Sequence, residues 1–540
     1  MLAARELDKA NLPNSAWVNE RLEFTHGYGV VMNTVDRFTT QGRPEFFISD
    51  LPPISNIDID VTQPEIYYGE TMSDIVFAGS DLEEFNYPDA NTNVYASYAG
   101  SGGVPLGGAF QRIAFALRFG ETNLLFSQYI TPETRVMFYR DIQTRIRQIT
   151  PFLTLDSDPY IVISEGRLYW IQDAYTTSNR YPYSAPIIYP DTGQRINYIR
   201  NSVKIVVDAY NGEVDYYIVD QPESDPIIQA YDKIFPNLFQ PFDDMPEGLK
   251  NHVRYPEQLF LIQTKQYLTY HMTDVQVFFT KEDLRQIPQE IFDGDTVNME
   301  PYYVMFRLPG ETETEYLLIQ PYTPSGKQNM IAWIAARNDP DTYGQLIAYE
   351  FPKQSLVVGP IQIEGFIDQE PAISEQFSLW DQRGSRIIRG NLIVIPLNDS
   401  FLYVEPVYLE SETSSLPELK RVIVASGERI IMRETLAEGL AALLDGTGSQ
   451  IEVALTDEIA VPESVVEVEV VEEAVESTDS NEEVIDFPTS DATSEELITL
   501  ANQQFNAAQQ AQQAGDWAAY GAEIEALEET LRQLEARLNP

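Results

Sequence analysis

The sequence predicts an α+β fold, a large multi-lobed mixed domain built around antiparallel hairpins. Apolar residues make up 43% and aromatic residues 11% of the 540-residue chain, which is enough to build a packed core. Short alternating apolar runs are joined by turn residues, and capped helical segments stand between groups of such runs. A chain of this length exceeds the size at which one core stops growing, so we expect two or more packed lobes.

The charge balance excludes several classes of partner. The chain has 84 acidic and 35 basic residues, and its formal net charge is −49. Phosphate recognition needs clusters of Lys and Arg, so we expect no nucleic-acid partner, and adhesion to anionic lipid headgroups is disfavoured for the same reason. The absence of cysteine excludes disulfides, thiolate metal sites and Cys nucleophiles. No apolar run approaches the roughly 18 residues that cross a bilayer.

The first part of the chain is rich in turns. Residues 1 to about 100 contain few periodic stretches, as expected of segments that wrap over a core. Glycines between residues 100 and 108 precede an apolar helix expected from Ala109, and such a place can hold an anion. Without a Walker lysine or a dinucleotide spacing, a flexible or tightly packed turn is favoured. Thr131 and Pro132 then indicate a helix start, and this helix is expected to run to about Ile149.

Hairpins and helices alternate in the remainder of the body. Apolar runs at 160–163 and 167–171 flank a Glu165-Gly166 turn, and runs at 203–208 and 214–219 flank Asn211-Gly212, the strongest short hairpin signal. We expect helices at 226–235 and at 246–270, the second broken near Pro256. From 300 to 432 the pattern again predicts strands.

Composition divides the chain into three parts. The main α+β body is expected at residues 1–448 with two lobes, and an acidic flexible linker at 449–493, where charge repulsion opposes folding. A helical hairpin that turns at Gly515-Asp516 is expected at 494–540. Its last helix has a coiled-coil spacing of apolar residues, at Ile524, Leu527, Leu531, Leu534 and Leu538, so this hairpin could bind a protein partner or a second copy.

Histidines are the first candidates for chemistry, because imidazole can bind metal or act as a general base. The chain has three. Their spacing fits no zinc signature, and neighbouring tyrosines indicate hydrogen-bonded packing instead. We therefore predict no metal site and assign no catalytic residue, and keep one candidate polar cluster for examination, consisting of His26, His252, Arg254, Tyr255 and His271.

Acidic residues near the first hairpin are a second candidate. Asp156, Asp158 and Asp173 flank it, and carboxylates outside the cytoplasm can bind calcium. The full calcium-loop pattern is absent, so turn and cap roles are favoured. No cofactor is predicted, with a divalent cation as the open alternative. No G-x-S-x-G elbow is present, and the 31 tyrosines could line a sugar or peptide groove, although core and rim positions are commoner.

An ordered series of motifs resembles one known family. The motifs are FTHGYGVV at 24–31, YYGE at 67–70, EFNYP at 84–88, ITPFL at 149–153, GRLYWI at 166–171, DAYTTS at 173–178, NYIRNSVK at 197–204, HVRYP at 252–256, YHM at 270–272 and NMIAW at 329–333. Through them the chain resembles, from about residue 14 to residue 444, the extracytoplasmic region of uncharacterised protein family 0182, a group of large bacterial membrane proteins. The resemblance implies a shared fold and, in a full-length relative, transmembrane helices that are absent from this chain. It implies no reaction.

These observations favour a binding role over catalysis. The resemblance implies an extracytoplasmic interaction or accessory domain on the outer face of a bacterial cell membrane, joined to the membrane by helices outside this chain. The alternative is a cell-envelope hydrolase that uses carboxylates or a bound cation. A pocket with convergent polar groups of perturbed pKa would favour the enzyme, whereas a broad apolar face would favour the interaction domain.

Overall fold

The computed structural model describes residues 1–12, 14–39, 42–90, 92–190, 192–219, 225–352, 357–381, 384–397, 400–411, 414–427, 429–445, 449 and 450. It also describes single helical positions at Gln504, Ala507, Ala526, Thr530 and Arg532. The chain divides into two units, Met1–Leu455 and Thr456–Pro540, and the fold below is that of the first. Apart from those positions and residues 449 and 450, the expected linker and helical hairpin lie outside the described residues.

The predicted α+β fold is confirmed, with helices distributed between several antiparallel sheets. Short 3-10 helices lie at Lys9–Asn11 and Phe242–Asp244, and a π-helix lies at Asn19–Glu23. No helix of the described residues combines the length and the apolar character needed to cross a membrane. The α-helices are α1 (Ala109–Phe119), α2 (Asn123–Phe126), α3 (Ile142–Ile149), α4 (Pro226–Ile234), α5 (Glu247–Lys250), α6 (Glu257–Tyr270), α7 (Val275–Thr280), α8 (Pro360–Gln369), α9 (Pro371–Trp380) and α10 (Leu436–Leu444).

Short strands build the N-terminal part, in which β1, β3, β4 and β5 form one sheet and β10, β11 and β7 another. The pairs β2–β6 and β8–β9 complete it. These strands are β1 (Leu2–Ala4), β2 (Gly27–Tyr28), β3 (Val30–Phe38), β4 (Pro44–Ser49), β5 (Ile54–Ser55), β6 (Glu65–Ile66), β7 (Val76–Ala78), β8 (Glu84–Asp89), β9 (Thr92–Ala96), β10 (Val104–Pro105) and β11 (Arg135–Met137).

A six-stranded sheet forms the centre of the first unit. Its order is β12-β14-β17-β18-β19, with β13 also paired to β14, and only β18 and β19 run parallel. A small hairpin, β15–β16, stands apart from this sheet. The strands are β12 (Thr154–Leu155), β13 (Tyr160–Ser164), β14 (Arg167–Ser178), β15 (Ile187–Ile188), β16 (Arg195–Ile196), β17 (Tyr198–Asp208), β18 (Val214–Ile218) and β19 (Phe239–Pro241).

Two further sheets follow along the chain. The first has the order β20-β24-β25-β26 with β23 beside β24, and the second has the order β27-β29-β30-β31-β32 with β28 beside β29. The pair β21–β22 lies outside both sheets. Their strands are β20 (Arg285–Gln286), β21 (Gln289–Phe292), β22 (Asp295–Asn298), β23 (Tyr302–Phe306), β24 (Glu315–Pro324), β25 (Ala332–Arg337), β26 (Leu346–Glu350), β27 (Ser385–Arg389), β28 (Ile393–Leu397), β29 (Ser400–Ser411), β30 (Ser414–Ser426), β31 (Arg429–Arg433) and β32 (Ser449–Gln450).

Several elements with strong local signals appear where the sequence predicts them, although helices α8 and α9 interrupt the strands expected from 300 to 432. The hairpins β13–β14 and β17–β18 are antiparallel, and the helical stretch before residue 270 is broken into α5 and α6 ahead of Glu257. The glycine-rich segment before α1 contains strand β10, and its glycine turn is tightly packed, which is one of the two expected alternatives. A Cβ on Gly102 would lie 2.3 Å from the Asn211 carbonyl oxygen, so only glycine fits there.

The helix expected from Thr131 to Ile149 is wrong in its first half. Arg135–Met137 is instead strand β11, which pairs with β7 and β10. Helix α3 begins only after Asp141, whose carboxylate accepts the Thr144 N–H at 2.6 Å. The strand gains partners that are distant in the sequence, and this pairing outweighs the local start signal.

The largest core joins the N-terminal part to the central sheet. The backbone N–H groups of Tyr67 and Tyr68 both donate to the Ala209 carbonyl, at 2.8 and 3.0 Å. The indole N–H of Trp170 donates to the Tyr68 carbonyl at 3.0 Å. Residues 67 and 68 therefore pack only where the later strands β14 and β17 have been formed.

Candidate functional site

His26 lies in a closed polar network of the N-terminal part. Its Nε2 is 3.0 Å from Asn86 Oδ1, its Nδ1 is 2.9 Å from Thr25 Oγ1, and its ring packs against Tyr67 with the centroids 4.7 Å apart. The side chain is buried. These contacts satisfy both ring nitrogens, so His26 has a packing role.

The carboxylate of Glu84 is the centre of that network. It is fully buried and accepts hydrogen bonds from the Tyr67 hydroxyl at 2.9 Å, from the Gly79 N–H at 2.8 Å and also from the Thr25 hydroxyl. Burial alone raises its pKa, but the contacts with His26 and the other donors outweigh burial and hold the pKa below its usual value. The network therefore stabilises a buried negative charge.

The other two histidines have separate surroundings. His252 is exposed in the turn after α5. His271 follows α6, where its Nδ1 donates to the Tyr267 carbonyl at 2.8 Å and its Nε2 lies 3.9 Å from Asp283 Oδ2. Among the described residues, no three His, Cys, Asp or Glu side chains are placed to hold a metal ion.

Arg254 joins the central sheet to the segment that follows it. Its guanidinium contacts Asp158 Oδ2 at 2.5 Å and lies 4.2 Å from the centre of the Tyr160 ring. Tyr255 connects to the next sheet, because its N–H donates to Asn338 Oδ1 at 2.5 Å and its carbonyl accepts the Tyr303 hydroxyl at 2.6 Å. Arg254 and Tyr255 thus belong to one group of contacts that also contains Lys204, Asp173 and Asp156. We call this group the ionic seam.

Lys204 and Asp173 form the buried ion pair of this seam. They are register partners on β17 and β14, and neither side chain is more than 3% exposed. The Lys204 ammonium also donates to the Arg254 carbonyl at 2.6 Å. Burial lowers the pKa of Lys204 and raises the pKa of Asp173, while their mutual attraction opposes both shifts. Asp173 therefore has neither the turn nor the cap role expected from the sequence.

Asp156 belongs to the same seam. Its Oδ1 accepts the Asp158 N–H at 2.9 Å, which is the turn role expected from the sequence, and its Oδ2 accepts the Tyr175 hydroxyl. Burial, and then the nearby charge of Asp173, raise the pKa of Asp156 to about 6. Lys204, Asp173 and Asp156 thus have shifted pKa values and are buried, whereas the Arg254 contact with Asp158 lies at the surface, where the Asp158 side chain is 62% exposed.

The largest cavities that we describe are lined by other residues. One of about 660 Å³ lies between β23, β25, β26 and β28 and has Trp333, Tyr349 and Phe401 in its wall. A second, of about 550 Å³, has Lys281, Arg285 and Glu350 in its wall. Residues of the ionic seam line neither of these two cavities, and they do not line a third cavity either.

The third cavity, of about 440 Å³, has an uncharged aromatic wall, and we call it the tyrosine cavity. The Tyr181 and Tyr198 rings are stacked with their centroids 5.5 Å apart. Burial, followed by a hydrogen bond to Asp225, raises the pKa of Tyr198 to about 12. No charged residue lies in the lining, which consists of Tyr181, Pro182, Tyr183, Ser184, Ala185, Ile187, Ile196, Asn197, Tyr198, Ile199, Ile262, Gln266 and Tyr270.

Exposed aromatic groups extend this cavity across the surface. Tyr183 is fully exposed, and Tyr270 is 61% exposed and packs against Phe278 of α7 with the centroids 5.9 Å apart. On the same helix, Val275 and Phe279 are each 82% exposed. This arrangement suits the binding of an uncharged, partly apolar surface or ligand.

The sequence did not indicate this surface as a candidate. The run that contains Tyr181, Pro182 and Tyr183 is a visible cluster of aromatic residues, but aromatic residues are also frequent in protein cores. Lys204 was likewise not selected, although it stands inside the NYIRNSVK motif. Of the five residues that were selected, the fold joins Arg254 and Tyr255 in the seam and leaves the three histidines with separate contacts.

Comparison with known proteins gives relatives along the whole chain. The sequence profile of the uncharacterised protein family UPF0182 matches residues 1–380. A UPF0182 protein of Pelotomaculum thermopropionicum is 47% identical over 99% of this chain and 56% of its own length. Its counterpart in Sulfurovum is 50% identical over 82% of this chain and 48% of its own length, and that of Trichodesmium erythraeum is 41% identical over 99% and 56%. The chain thus spans about half the length of the relatives it matches. No solved structure matches it.

Proposed function

The chain belongs to the uncharacterised protein family UPF0182, and from this premise we propose that it is an extracytoplasmic interaction or accessory domain of a bacterial membrane protein. The family establishes no activity that could be carried over. The remaining length of the relatives is where the proposed transmembrane helices would lie. A partner would then meet this domain outside the cytoplasm.

The tyrosine cavity and its extension over α7 carry this proposal. The chain has a net charge of −49, yet this surface presents tyrosines, isoleucines and phenylalanines and no charge in the cavity wall. Aromatic residues are enriched, and charged residues depleted, in the centres of protein interfaces. The lining of the tyrosine cavity contains no carboxylate, histidine or lysine, which supports a binding role over hydrolysis at this surface.

The location is tested by labelling introduced thiols in whole cells. The chain has no cysteine, so Glu313→Cys, in an exposed turn, would be its only thiol. In the longer membrane protein, we expect a membrane-impermeant maleimide to label this position in intact cells. The matched control is Ala174→Cys, which is fully buried and should react only after unfolding. Labelling of Glu313→Cys only after cell lysis would place the domain in the cytoplasm.

The interaction is tested by photocrosslinking from the cavity. A photoreactive phenylalanine analogue at Tyr183 should crosslink to a polypeptide in intact membranes. The same analogue at Tyr95, which is 39% exposed in the β8–β9 hairpin, should not. Equal yields at both positions, or none at either, would contradict a docking role for the tyrosine cavity. Hydrolysis of an envelope polymer that survives the loss of Tyr183 and Tyr270 would support the enzyme instead.

A further inference from the structure

Helices α1 and α2 present a second apolar surface, which we call the α1–α2 face. Phe110, Ile113 and Leu117 recur at helical spacing along α1 and are 81%, 48% and 80% exposed. Phe126 at the end of α2 is 84% exposed. Four large apolar side chains therefore stand in solvent on two adjoining helices.

The opposite side of α1 is fixed to the body. Ala116 is buried, and Phe115 and Phe119 pack against a core that contains Leu106 and Leu124. The helix ends at Gly120, whose φ of 71° is the left-handed conformation of a helix C-terminus. Because the inner side is anchored, the α1–α2 face belongs to a folded helix and its outward direction is set by packing.

Local charge distinguishes this helix from its surroundings. Within Ala109–Phe119 there are two arginines, Arg112 and Arg118, and no acidic residue, although the chain has a net charge of −49. Glu121 follows the helix, but its side chain is only 16% exposed and is paired with Arg21 at 3.3 Å. Arg112 donates to the Ile130 carbonyl, and the exposed Arg118 donates to the Tyr139 hydroxyl at 2.9 Å. An apolar stripe flanked by arginine and free of acid is the composition of helices that lie in a membrane interface.

Helix α7 offers the contrasting case. Its apolar side chains are as exposed as those of α1, but Asp274 caps its start, and its end is followed by one lysine, Lys281, and two acids, Glu282 and Asp283. Carboxylates at these positions would be repelled by lipid phosphates, whereas arginines would be attracted to them. Charge complementarity therefore favours the α1–α2 face, and not α7, for contact with lipid.

We propose that the α1–α2 face lies in the interfacial layer of a phospholipid bilayer, with Phe110, Leu117 and Phe126 among the acyl chains and Arg118 at the level of the phosphates. The inference rests on the proposed function, which places this domain beside a membrane. The occupant is lipid, and apolar insertion supplies the attraction. Because the whole chain is acidic, additional anionic lipid should weaken binding at low salt.

The test is flotation of the full chain with vesicles of phosphatidylcholine alone. We expect binding that persists in 0.5 M salt, because burial of apolar side chains is not screened. Phe110→Ser combined with Leu117→Ser should lower the partition coefficient by about 100-fold, on the order of tenfold for each large side chain withdrawn from the interface. Circular dichroism and thermal unfolding show that the variant is folded.

The matched control is Val35→Ser combined with Leu444→Ser, which removes two equally exposed apolar side chains from β3 and α10. This variant should bind vesicles as the unchanged chain does. An environment-sensitive dye on Ala114→Cys, on the exposed side of α1, should shift to the blue when vesicles are added.

Several outcomes would overturn the inference. These are no binding to vesicles, binding that requires anionic lipid and is lost with salt, and equal losses in the two double variants. A change of oligomeric state in the Phe110 and Leu117 variant, without any vesicle binding by the unchanged chain, would assign the face to a second copy. Successful labelling at residue 313 and crosslinking from residue 183 would leave the proposed function standing in each case.

Discussion

The ionic seam and the α1–α2 face reverse the usual distribution of residue types. In the seam, Lys204 and Asp173 are charged residues shielded from water, while on the face, Phe110 and Leu117 are apolar residues exposed to it. Buried charges are expensive unless they are paired, and exposed apolar stripes are rare unless something covers them. The two regions therefore have different roles. The buried ion pair stabilises the body, and the exposed apolar surface is available for binding.

The largest expected effect is on the seam. Lys204→Met should lower the free energy of unfolding by about 3 to 5 kcal/mol, because it leaves the Asp173 carboxylate buried without its partner. Chemical denaturation followed by tryptophan fluorescence measures this change. The matched variant is Lys204→Met combined with Asp173→Leu, which removes both charges and should recover much of the loss. A single substitution that costs under about 1 kcal/mol would show that the pair is not what stabilises the seam.

A pH dependence should follow from Asp156. Its pKa rises from 3.8 to about 6 on folding, mainly because of burial. The folded chain thus binds the proton more tightly, so the stabilising contribution is complete below pH 4 and is lost as the pH rises through 6. A pKa difference of about two between the folded and unfolded chain contributes at most ~3 kcal/mol to the free energy of unfolding. Asp156→Asn cannot ionise, so its stability relative to the unchanged chain should rise between pH 4 and 6. Parallel stability curves across that range would refute this assignment.

The stability cost of replacing a histidine should depend on how deeply that histidine is buried. His26→Ala should cost about 1 to 3 kcal/mol, because it removes two hydrogen-bonding nitrogens from the network around Glu84. His252→Ala should change stability by less than about 0.5 kcal/mol, since its side chain is exposed. Thermal unfolding of the two variants compares them directly. Equal costs would mean that His252 has a packed role that its exposure does not suggest.

The smallest effect is expected on the exposed face, within a single helix. Phe126→Ala should change the free energy of unfolding by less than about 0.5 kcal/mol, because the ring is 84% exposed. On the same helix α2, Leu124→Ala should cost about 2 to 5 kcal/mol, because Leu124 is fully buried. Denaturant titrations of both variants measure the two changes in the free energy of unfolding. A large cost for Phe126→Ala would mean that the face is already covered within this chain.

Local signals predicted the elements whose stabilisation is local. The Asn211-Gly212 turn and the break before α6 follow from turn chemistry and proline, and both occur where expected. The prediction of a helix from Thr131 was wrong because β11 is stabilised by pairing with β7 and β10. No residue near β11 in the sequence indicates this pairing. Sequence patterns describe neighbours along the chain, whereas this strand depends on neighbours in space.

The site residues show the same limit. Lys204 and Asp173 meet because β14 and β17 pair in one register, and the sequence does not specify that register before the sheet is known. The apolar periodicity of α1 predicts a helix, but its stripe does not say whether another element covers it. Arg254 and Tyr255 were selected from their motif, and the interior position that gives them partners became visible only in the fold.

The contacts between residues 67–68 and Ala209 also bear on the order in which the chain folds during synthesis. Tyr67 and Tyr68 donate to Ala209, and Tyr98 donates its hydroxyl to Asn211 at 2.9 Å. At a synthesis rate of about 5 to 20 residues per second, these partners emerge roughly 5 to 20 s after residue 98. During that interval these tyrosines of the N-terminal part lack their hydrogen-bond partners. A chaperone that binds aromatic segments could bind them there.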